Sequence, residues 1–336
     1  MESRLVRYAD LVPCDAAFLD SRTPGSDRKE NFCIIGPGVA ENASQFVHIT
    51  EPHGFNIGGA RQPGGCVNSQ HCHTTTEVFV VHSGHWRMLF GADGRDGHLD
   101  VEPGDVVSLP VRMFRGFEKR DDGTGFLWVV LGGDDPGKVA WAPDVFAAAA
   151  ASGLRLLKGG RLIETSNGEG IPSGAELEEP PSPAQLSEWA TPPMAEMEKG
   201  LCRNRDMTGN PASHLARDGV EECGIINLKD TADGFPPGPI SGRQHGFVLR
   251  QLRIAGGGQI PAHARLEPEV LFVHRGELDV SWPAGEVVMR PGDTLSVPVG
   301  VARSFGNRGQ DGVVAYVVRG GDDPAAPRFR ALRGAE

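Results

Sequence analysis

The chain has 336 residues, about twice the usual length of one domain, so two domains or one duplicated domain are expected. Acidic residues outnumber basic residues by 44 to 33, and a net charge of -11 without a long basic run argues against nucleic acid as the main partner. The N-terminus lacks the apolar core of a signal peptide, and no apolar run is long enough to cross a bilayer. We expect a cytoplasmic protein that acts on a small molecule, with no membrane partner.

A sequence repeat relates the two halves of the chain. The segment that begins at His53 aligns without a gap with the segment that begins at His245, at an offset of 192 residues. Further on, PGDVVSLP from Pro103 aligns with PGDTLSVP from Pro291, now at an offset of 188. The change in offset falls where the first copy carries the turn-rich segment GADGRDG, and surface turns accept such insertions. The repeat therefore predicts two copies of one fold.

Each copy alternates short β-branched runs with Gly, Pro and Asp. In chain order these runs are EVFVVH, VVSLPV and GFLWVVL in the first copy, and EVLFVH, TLSVPV and GVVAYVVRG in the second. Strands at intervals of roughly 8 to 12 residues are typical of β-sandwiches and barrels. The predicted fold class is all-β, with two barrels in tandem.

The segment between the copies predicts one helix and a connector. The stretch APDVFAAAAASG has Pro143 in a first turn and Gly153 at its end, and we expect this helix to pack outside the first barrel. The following residues are rich in Pro, Glu, Ser and Gly, which favours a mostly irregular linker. The predicted domains are residues 1–155, a linker at 156–205, and residues 206–336.

A candidate metal site lies in the first copy, where Gly65, His71, His73, Glu77 and Gly84 fit the pattern G-x5-H-x-H-x3-E-x6-G. Residues two apart on a strand share a face, so both histidines are expected to point into the barrel, with the glutamate approaching the same point. Two imidazoles and a carboxylate suit iron, manganese, zinc, nickel or copper. We expect one divalent transition metal per chain, with iron as the first expectation.

This pattern is the first motif of the cupin superfamily, and the chain resembles a bicupin. The resemblance implies two jelly-roll barrels of the double-stranded β-helix type. It also implies a metal-dependent dioxygenase similar to gentisate dioxygenase-like proteins, acting on a small anionic substrate, with aromatic compounds among the candidates. Two alternatives stay open: a non-oxidative metal-dependent isomerase, lyase or decarboxylase, and a metal-free binding or scaffold protein. A homodimer or a pseudo-symmetric monomer is expected.

Arginine replaces histidine at three positions of the two motifs. Arg115 stands where the second cupin motif has its fourth ligand, and Arg265 and Arg303 replace histidines in the second copy. Because an arginine has no free lone pair, we expect the second barrel to bind no metal and Glu269 to pair with Arg265 or Arg303. Arg115 has two predicted roles. It either forms an ion pair with Glu77 or, beside a bound metal, acts catalytically by holding the substrate's anionic group.

Overall fold

The computed structural model describes residues 1–14, 16–42 and 44–330 of the chain. The first half contains β1 (Leu5–Val6), β2 (Glu30–Ile35), β3 (Val47–Ile49), β4 (Phe55–Pro63), β5 (Val67–Cys72), β6 (Glu77–Ser83), β7 (Trp86–Phe90), β8 (Gly97–Val101), β9 (Val106–Leu109), β10 (Arg115–Lys119), β11 (Thr124–Gly132), β12 (Ala140–Trp141), β13 (Leu154–Leu156) and β14 (Leu162–Glu164). The second half contains β15 (Leu201–Cys202), β16 (Val220–Ile226), β17 (Phe247–Ile254), β18 (Gln259–Ala264), β19 (Glu269–Arg275), β20 (Leu278–Trp282), β21 (Gly285–Met289), β22 (Thr294–Val297), β23 (Arg303–Gly306), β24 (Val313–Gly320) and β25 (Arg328–Phe329). The α-helices are α1 (Pro143–Ala151), α2 (Pro183–Glu188) and α3 (Met194–Glu198).

The N-terminal barrel unit consists of Val12–Pro52 and Asn56–Gly200. One of its sheets has the strand order β12-β5-β10-β7-β8, and the other includes β9-β6-β11-β4-β2-β3. Strands β5 and β6 follow each other in the chain but lie in different sheets. The short connection between them therefore crosses from one sheet to the other, and it carries the histidine motif.

The C-terminal barrel unit repeats this arrangement. Its sheets have the strand orders β1-β22-β19-β24-β17-β16 and β21-β20-β23-β18-β25. Inward side chains of both sheets form one apolar core, to which Leu271, Leu295 and Val317 contribute from the first sheet and Val280 and Phe305 from the second. Burial of this alternating apolar face is what makes the barrel stable. The prediction of an all-β chain with two barrels in tandem is confirmed.

The compact units differ from the predicted domain boundaries at the N-terminus. The prediction placed all of residues 1–155 in the first barrel, whereas Met1–Leu11 and His53–Phe55 belong to the C-terminal unit. Leu5 pairs with Leu295 in an antiparallel register. A strand of two residues has too little periodicity to be recognised in the sequence.

The segment between the barrels contains more regular structure than predicted. Helix α1 begins at Pro143, as expected, and buries Val145 and Ala149 in a cluster that also holds Cys72 on the outer side of β5. The stretch predicted to be an irregular linker forms the hairpin β13-β14 and two short helices, and α2 begins with a capping box built by Ser182 and Gln185. Most of this stretch, through Gly200, belongs to the N-terminal unit. None of the helices in the described residues has both the length and the hydrophobicity needed to cross a bilayer.

Candidate metal centre

The three predicted ligands meet where the chain crosses between the two sheets of the N-terminal unit. His71 lies near the end of β5, His73 lies just beyond it, and Glu77 is the first residue of β6. All three side chains are buried, and one ligand atom from each lies within 4.8 Å of the others. The predicted convergence of the two histidines and the glutamate on one interior point is therefore present in the structure.

A hydrogen bond to a backbone carbonyl fixes the orientation of His71. Its Nδ1 lies 2.8 Å from the carbonyl oxygen of Ser69, whereas the amide nitrogen of Asn68, 3.3 Å away, is itself a donor and makes a packing contact only. Because a carbonyl only accepts, Nδ1 carries the proton and Nε2 keeps a lone pair. This is the arrangement in which metal-binding histidines are commonly held.

Arg115 occupies the position beside these groups and binds Glu77. Its Nε and Nη2 donate to Oε2 of Glu77 at 3.2 and 2.9 Å, and its Nη1 donates to the carbonyl oxygen of Met113 at 3.2 Å. Oε1 of Glu77 lies 3.6 Å from Nε2 of His73. The ion pair between Arg115 and Glu77, one of the two roles predicted for Arg115, is thus present. It engages one oxygen of the Glu77 carboxylate, while the other oxygen faces the histidines.

The protonation states of His71, His73 and Glu77 suit the binding of a cation. Burial lowers the pKa of His71 to about 3, assisted by the neighbouring His73 and Arg115. Burial also lowers the pKa of His73, again with a contribution from Arg115. For Glu77, burial raises the pKa, but His73 and Arg115 outweigh it and hold the pKa below its ordinary value. At neutral pH the site therefore offers two neutral imidazoles and one carboxylate, the forms that bind a divalent ion.

The donor set fits a divalent transition metal by its chemistry, because two imidazoles and one carboxylate converge within 4.8 Å. Nε2 of His73 lies on the side of the ring that faces Oε1 of Glu77, so its lone pair and that carboxylate oxygen are directed at the same point.

A second layer of polar residues behind His71 was not predicted from the sequence. Lys29 forms a buried ion pair with Asp20 and donates to Oδ1 of Asn68 at 2.8 Å, and Asn68 contacts His71. The Trp141 ring lies against the His71 ring with centroids 5.5 Å apart. Only Asn68 is near the motif in sequence, so local spacing could not identify the other members of this layer.

Trp141 also binds a carboxyl group with an unusual pKa. Its Nε1 donates to Oε1 of Glu41 at 2.8 Å, and the backbone N–H of Leu19 donates to Oε2 at 2.8 Å. Burial raises the pKa of Glu41 to about 8, although these two hydrogen bonds act in the opposite direction. This carboxyl is therefore largely protonated at neutral pH.

A cavity adjoins the three candidate ligands. Its volume is about 80 Å³. Its polar wall residues are Asn31, Asn68, His71, His73 and Glu77, and the remaining wall residues are apolar or glycine. Phe79 and Phe117 line the cavity, whereas Arg115 does not appear in its described wall.

The equivalent centre of the C-terminal unit is filled by ion pairs. Glu269 binds Arg303 at 2.5 Å and Arg265 at 3.2 Å, as predicted, and also Arg319 at 2.9 Å. Arg319 further binds Glu222 at 2.7 Å. Three guanidinium groups around one carboxylate hold the pKa of Glu269 well below its ordinary value despite burial, which raises it. The residues described here offer no cluster of metal-binding side chains other than His71, His73 and Glu77.

Sequence comparisons cover a minor part of the chain. Residues 250–319 match the family described as the cupin domain. A germin-like protein of Arabidopsis thaliana, subfamily 1 member 2, is 28% identical over 88 residues, which are 24% of this chain and 38% of that relative. The match thus spans well under two thirds of the relative's length.

Comparisons with solved structures cover nearly the whole chain. The formate complex of Lactobacillus farciminis oxalate decarboxylase has a TM-score of 0.58 at 14% identity, over 96% of this chain and 87% of that one. Bacillus subtilis oxalate decarboxylase, in a study of its Mn(II) centres, has a TM-score of 0.57 at 14% identity, over 97% and 79%. Hazelnut (Corylus avellana) vicilin has a TM-score of 0.53 at 11% identity, over 95% and 85%. At such identities the likeness shows the fold, which is that of two cupin barrels in tandem.

Proposed function

We propose that this protein with two cupin barrels is a metal-dependent enzyme of the non-oxidative type, a lyase, isomerase or decarboxylase, that acts on a small molecule in its N-terminal barrel. The observation that carries the proposal is the convergence of two neutral imidazoles and one charged carboxylate at the wall of a cavity. His71, His73 and Glu77 would hold the ion. A divalent metal bound there supplies a Lewis acid that polarises a carbonyl oxygen of the substrate.

The comparisons favour this class over the expected dioxygenase. The solved structures with similar folds include oxalate decarboxylases, and the resemblance to gentisate dioxygenase-like proteins stays a prediction. The Mn(II) centres of Bacillus subtilis oxalate decarboxylase add manganese to iron as a leading candidate. The donor set is equally compatible with zinc, nickel or copper.

We assign Arg115 a positioning role in this proposal in place of the expected contact with substrate. Its guanidinium donates to Glu77 and Met113, and the residue is fully buried outside the described cavity wall. By engaging Oε2 it directs Oε1 of Glu77 toward the histidines. The apolar wall excludes water from the same space, which strengthens electrostatic interactions at the site.

A metal-free binding protein is a second candidate, and the Arg115–Glu77 pair is the observation that favours it. The pair neutralises the buried carboxylate without a metal, as Arg303 does for Glu269 in the other barrel. In this case the two histidines would be interior polar residues beside a ligand cavity.

Calorimetric titration of chelator-treated protein with Mn²⁺, Fe²⁺ and Zn²⁺ separates the two candidates. The enzyme proposal expects one ion per chain, with a Kd below about 10 μM, a binding free energy of about -7 kcal/mol. Turnover of carbonyl compounds by the loaded protein should then continue in oxygen-free buffer. Failure to bind any of the three ions would leave the metal-free binding protein.

A further inference from the structure

The wall of the cavity beside the candidate metal centre has small or apolar residues at two positions where the other barrel has arginines. The repeat aligns Gly58 with Arg250 at the offset of 192, and Leu131 with Arg319 at the offset of 188. Gly58 and Leu131 both line the cavity. The two barrels thus provide an internal comparison between an open centre and a filled one.

In the C-terminal barrel the arginines at these positions bind acidic and aromatic residues. Arg319 binds Glu222 at 2.7 Å and Asp233 at 3.3 Å. Arg250 lies 3.6 Å from Asp233 and stacks over the Phe235 ring at 4.1 Å from its centroid. Loss of both guanidinium groups from the N-terminal barrel removes two positive charges from its interior.

The charges that remain beside the N-terminal cavity balance each other. No lysine or arginine belongs to its described wall, and the single charged wall residue, Glu77, already binds Arg115. A bound divalent ion would therefore add uncompensated positive charge at one point of the wall and nowhere else. Apart from the amides of Asn31 and Asn68, the rest of that wall, with residues such as Phe79 and Val129, offers apolar contact and no cation.

We infer that the N-terminal site takes a small ligand with an apolar body and a single oxygen-donor group, such as one carboxylate or one carbonyl, and that it rejects small dicarboxylates. The inference rests on the proposed function, because the single donor would face the metal. A second carboxylate would be buried against apolar side chains without a cation, which is costly. An apolar group in its place gains contact with the same walls.

The volume of the cavity limits the apolar body to a few carbon atoms. At about 80 Å³ it is about half as large as an engineered apolar cavity of about 150 Å³ that binds benzene. A branched body of three to five carbon atoms is the expected size.

Isobutyrate and methylmalonate test the inference as a matched pair, because one methyl group of the first is a carboxylate in the second. Calorimetry on the Mn²⁺-loaded protein should show isobutyrate binding at least about tenfold more tightly, about 1.4 kcal/mol. Chelation of the metal ion by both carboxylates of methylmalonate would instead tighten the binding of methylmalonate. Equal or tighter binding of methylmalonate would overturn the inference.

Two substitutions at equivalent strand positions test where the ligand lies. Val129 lines the cavity, and the repeat places Val317 at the same position of the C-terminal barrel. Val129→Ala should raise the affinity for the longer isovalerate relative to isobutyrate at least about threefold. Val317→Ala should leave that ratio unchanged. A ratio that does not respond to Val129→Ala, in protein that still unfolds cooperatively, would show that the ligand does not occupy this cavity.

The neutral ketone 3-methyl-2-butanone separates this inference from the proposed function. Chelator-treated protein should bind it with a preference over isobutyrate, because the apolar cavity then has no metal to attract a carboxylate. Binding of the ketone by protein that takes up no metal would support the cavity inference while rejecting the enzyme proposal. Binding of neither compound, with or without metal, would overturn the inference.

Discussion

Arg115 donates two hydrogen bonds to one carboxylate oxygen of Glu77, while the other oxygen of that carboxylate lies 3.6 Å from Nε2 of His73. This division explains how an arginine can stand in the place of a fourth ligand without abolishing the candidate centre. The guanidinium fixes the carboxylate from one side, and the second oxygen remains directed at the two histidines.

Arg115→His should increase metal affinity by at least about tenfold. The substitution removes a positive charge next to the proposed cation and supplies an imidazole at the position of the fourth ligand. Competition with a chelator of known affinity measures the change. The matched variant Arg303→His should create no metal site, because Arg265 still occupies the second histidine position of that barrel. An unchanged affinity in Arg115→His would contradict the assigned geometry.

The same substitution should make stability depend on metal. Without Arg115, the buried carboxylate of Glu77 loses its ion-pair partner, and breaking a buried pair costs about 3–5 kcal/mol. The metal-free variant should therefore unfold at lower urea concentration than the wild type. Addition of Mn²⁺ should restore much of the loss, because the ion replaces the missing positive charge.

Asn68→Ala should weaken metal binding by about 10-fold, at the lower end of the range typical for residues behind a ligating histidine, because Asn68 packs against the His71 ring without accepting its proton. Asn68 connects Lys29 to His71 and also lines the cavity. A titration of the purified variant with Mn²⁺ measures the effect. Its equivalent in the second barrel is Ile260, so Ile260→Ala serves as a control that should change stability but not metal affinity. Unaltered binding in Asn68→Ala would show that the second layer has no part in the centre.

Glu269→Gln should destabilise the C-terminal barrel by about 3–5 kcal/mol without altering metal content. The substitution removes the negative charge that Arg265, Arg303 and Arg319 share in the interior. Urea unfolding followed by circular dichroism measures the loss. A change below about 1 kcal/mol would mean that the buried arginines are neutralised by other groups.

Glu41→Gln should reduce the pH dependence of stability between about pH 4.5 and pH 8. The fold raises the pKa of Glu41 from 4.5 to about 8, so this group's contribution to stability is fully present below pH 4.5. It is lost as the pH rises through about 8, by about 1.4 kcal/mol for each unit between the two pKa values. Unfolding temperatures measured from pH 4 to pH 9 test this. The exposed control Glu179→Gln should retain the wild-type profile.

The sequence could predict the parts of the fold and site that depend on local spacing. The sequence repeat identified both barrels, and the two-residue period placed His71 and His73 on one face. Local spacing could not identify Lys29 or Trp141, because these residues reach the site through pairings between segments far apart in the chain. Arg319 was missed as a partner of Glu269 for the same reason. Its strand, β24, was predicted, but which of its side chains meets Glu269 depends on the strand register.

The central claim is that the N-terminal barrel alone holds a metal ion through His71, His73 and Glu77. Elemental analysis of protein purified without added metal, compared with His71→Ala and His263→Ala, tests it most directly. We predict about one first-row transition metal ion per chain in the wild type and in His263→Ala, and a loss of most of it in His71→Ala. Background metal in all three proteins, or a loss in His263→Ala, would contradict the account.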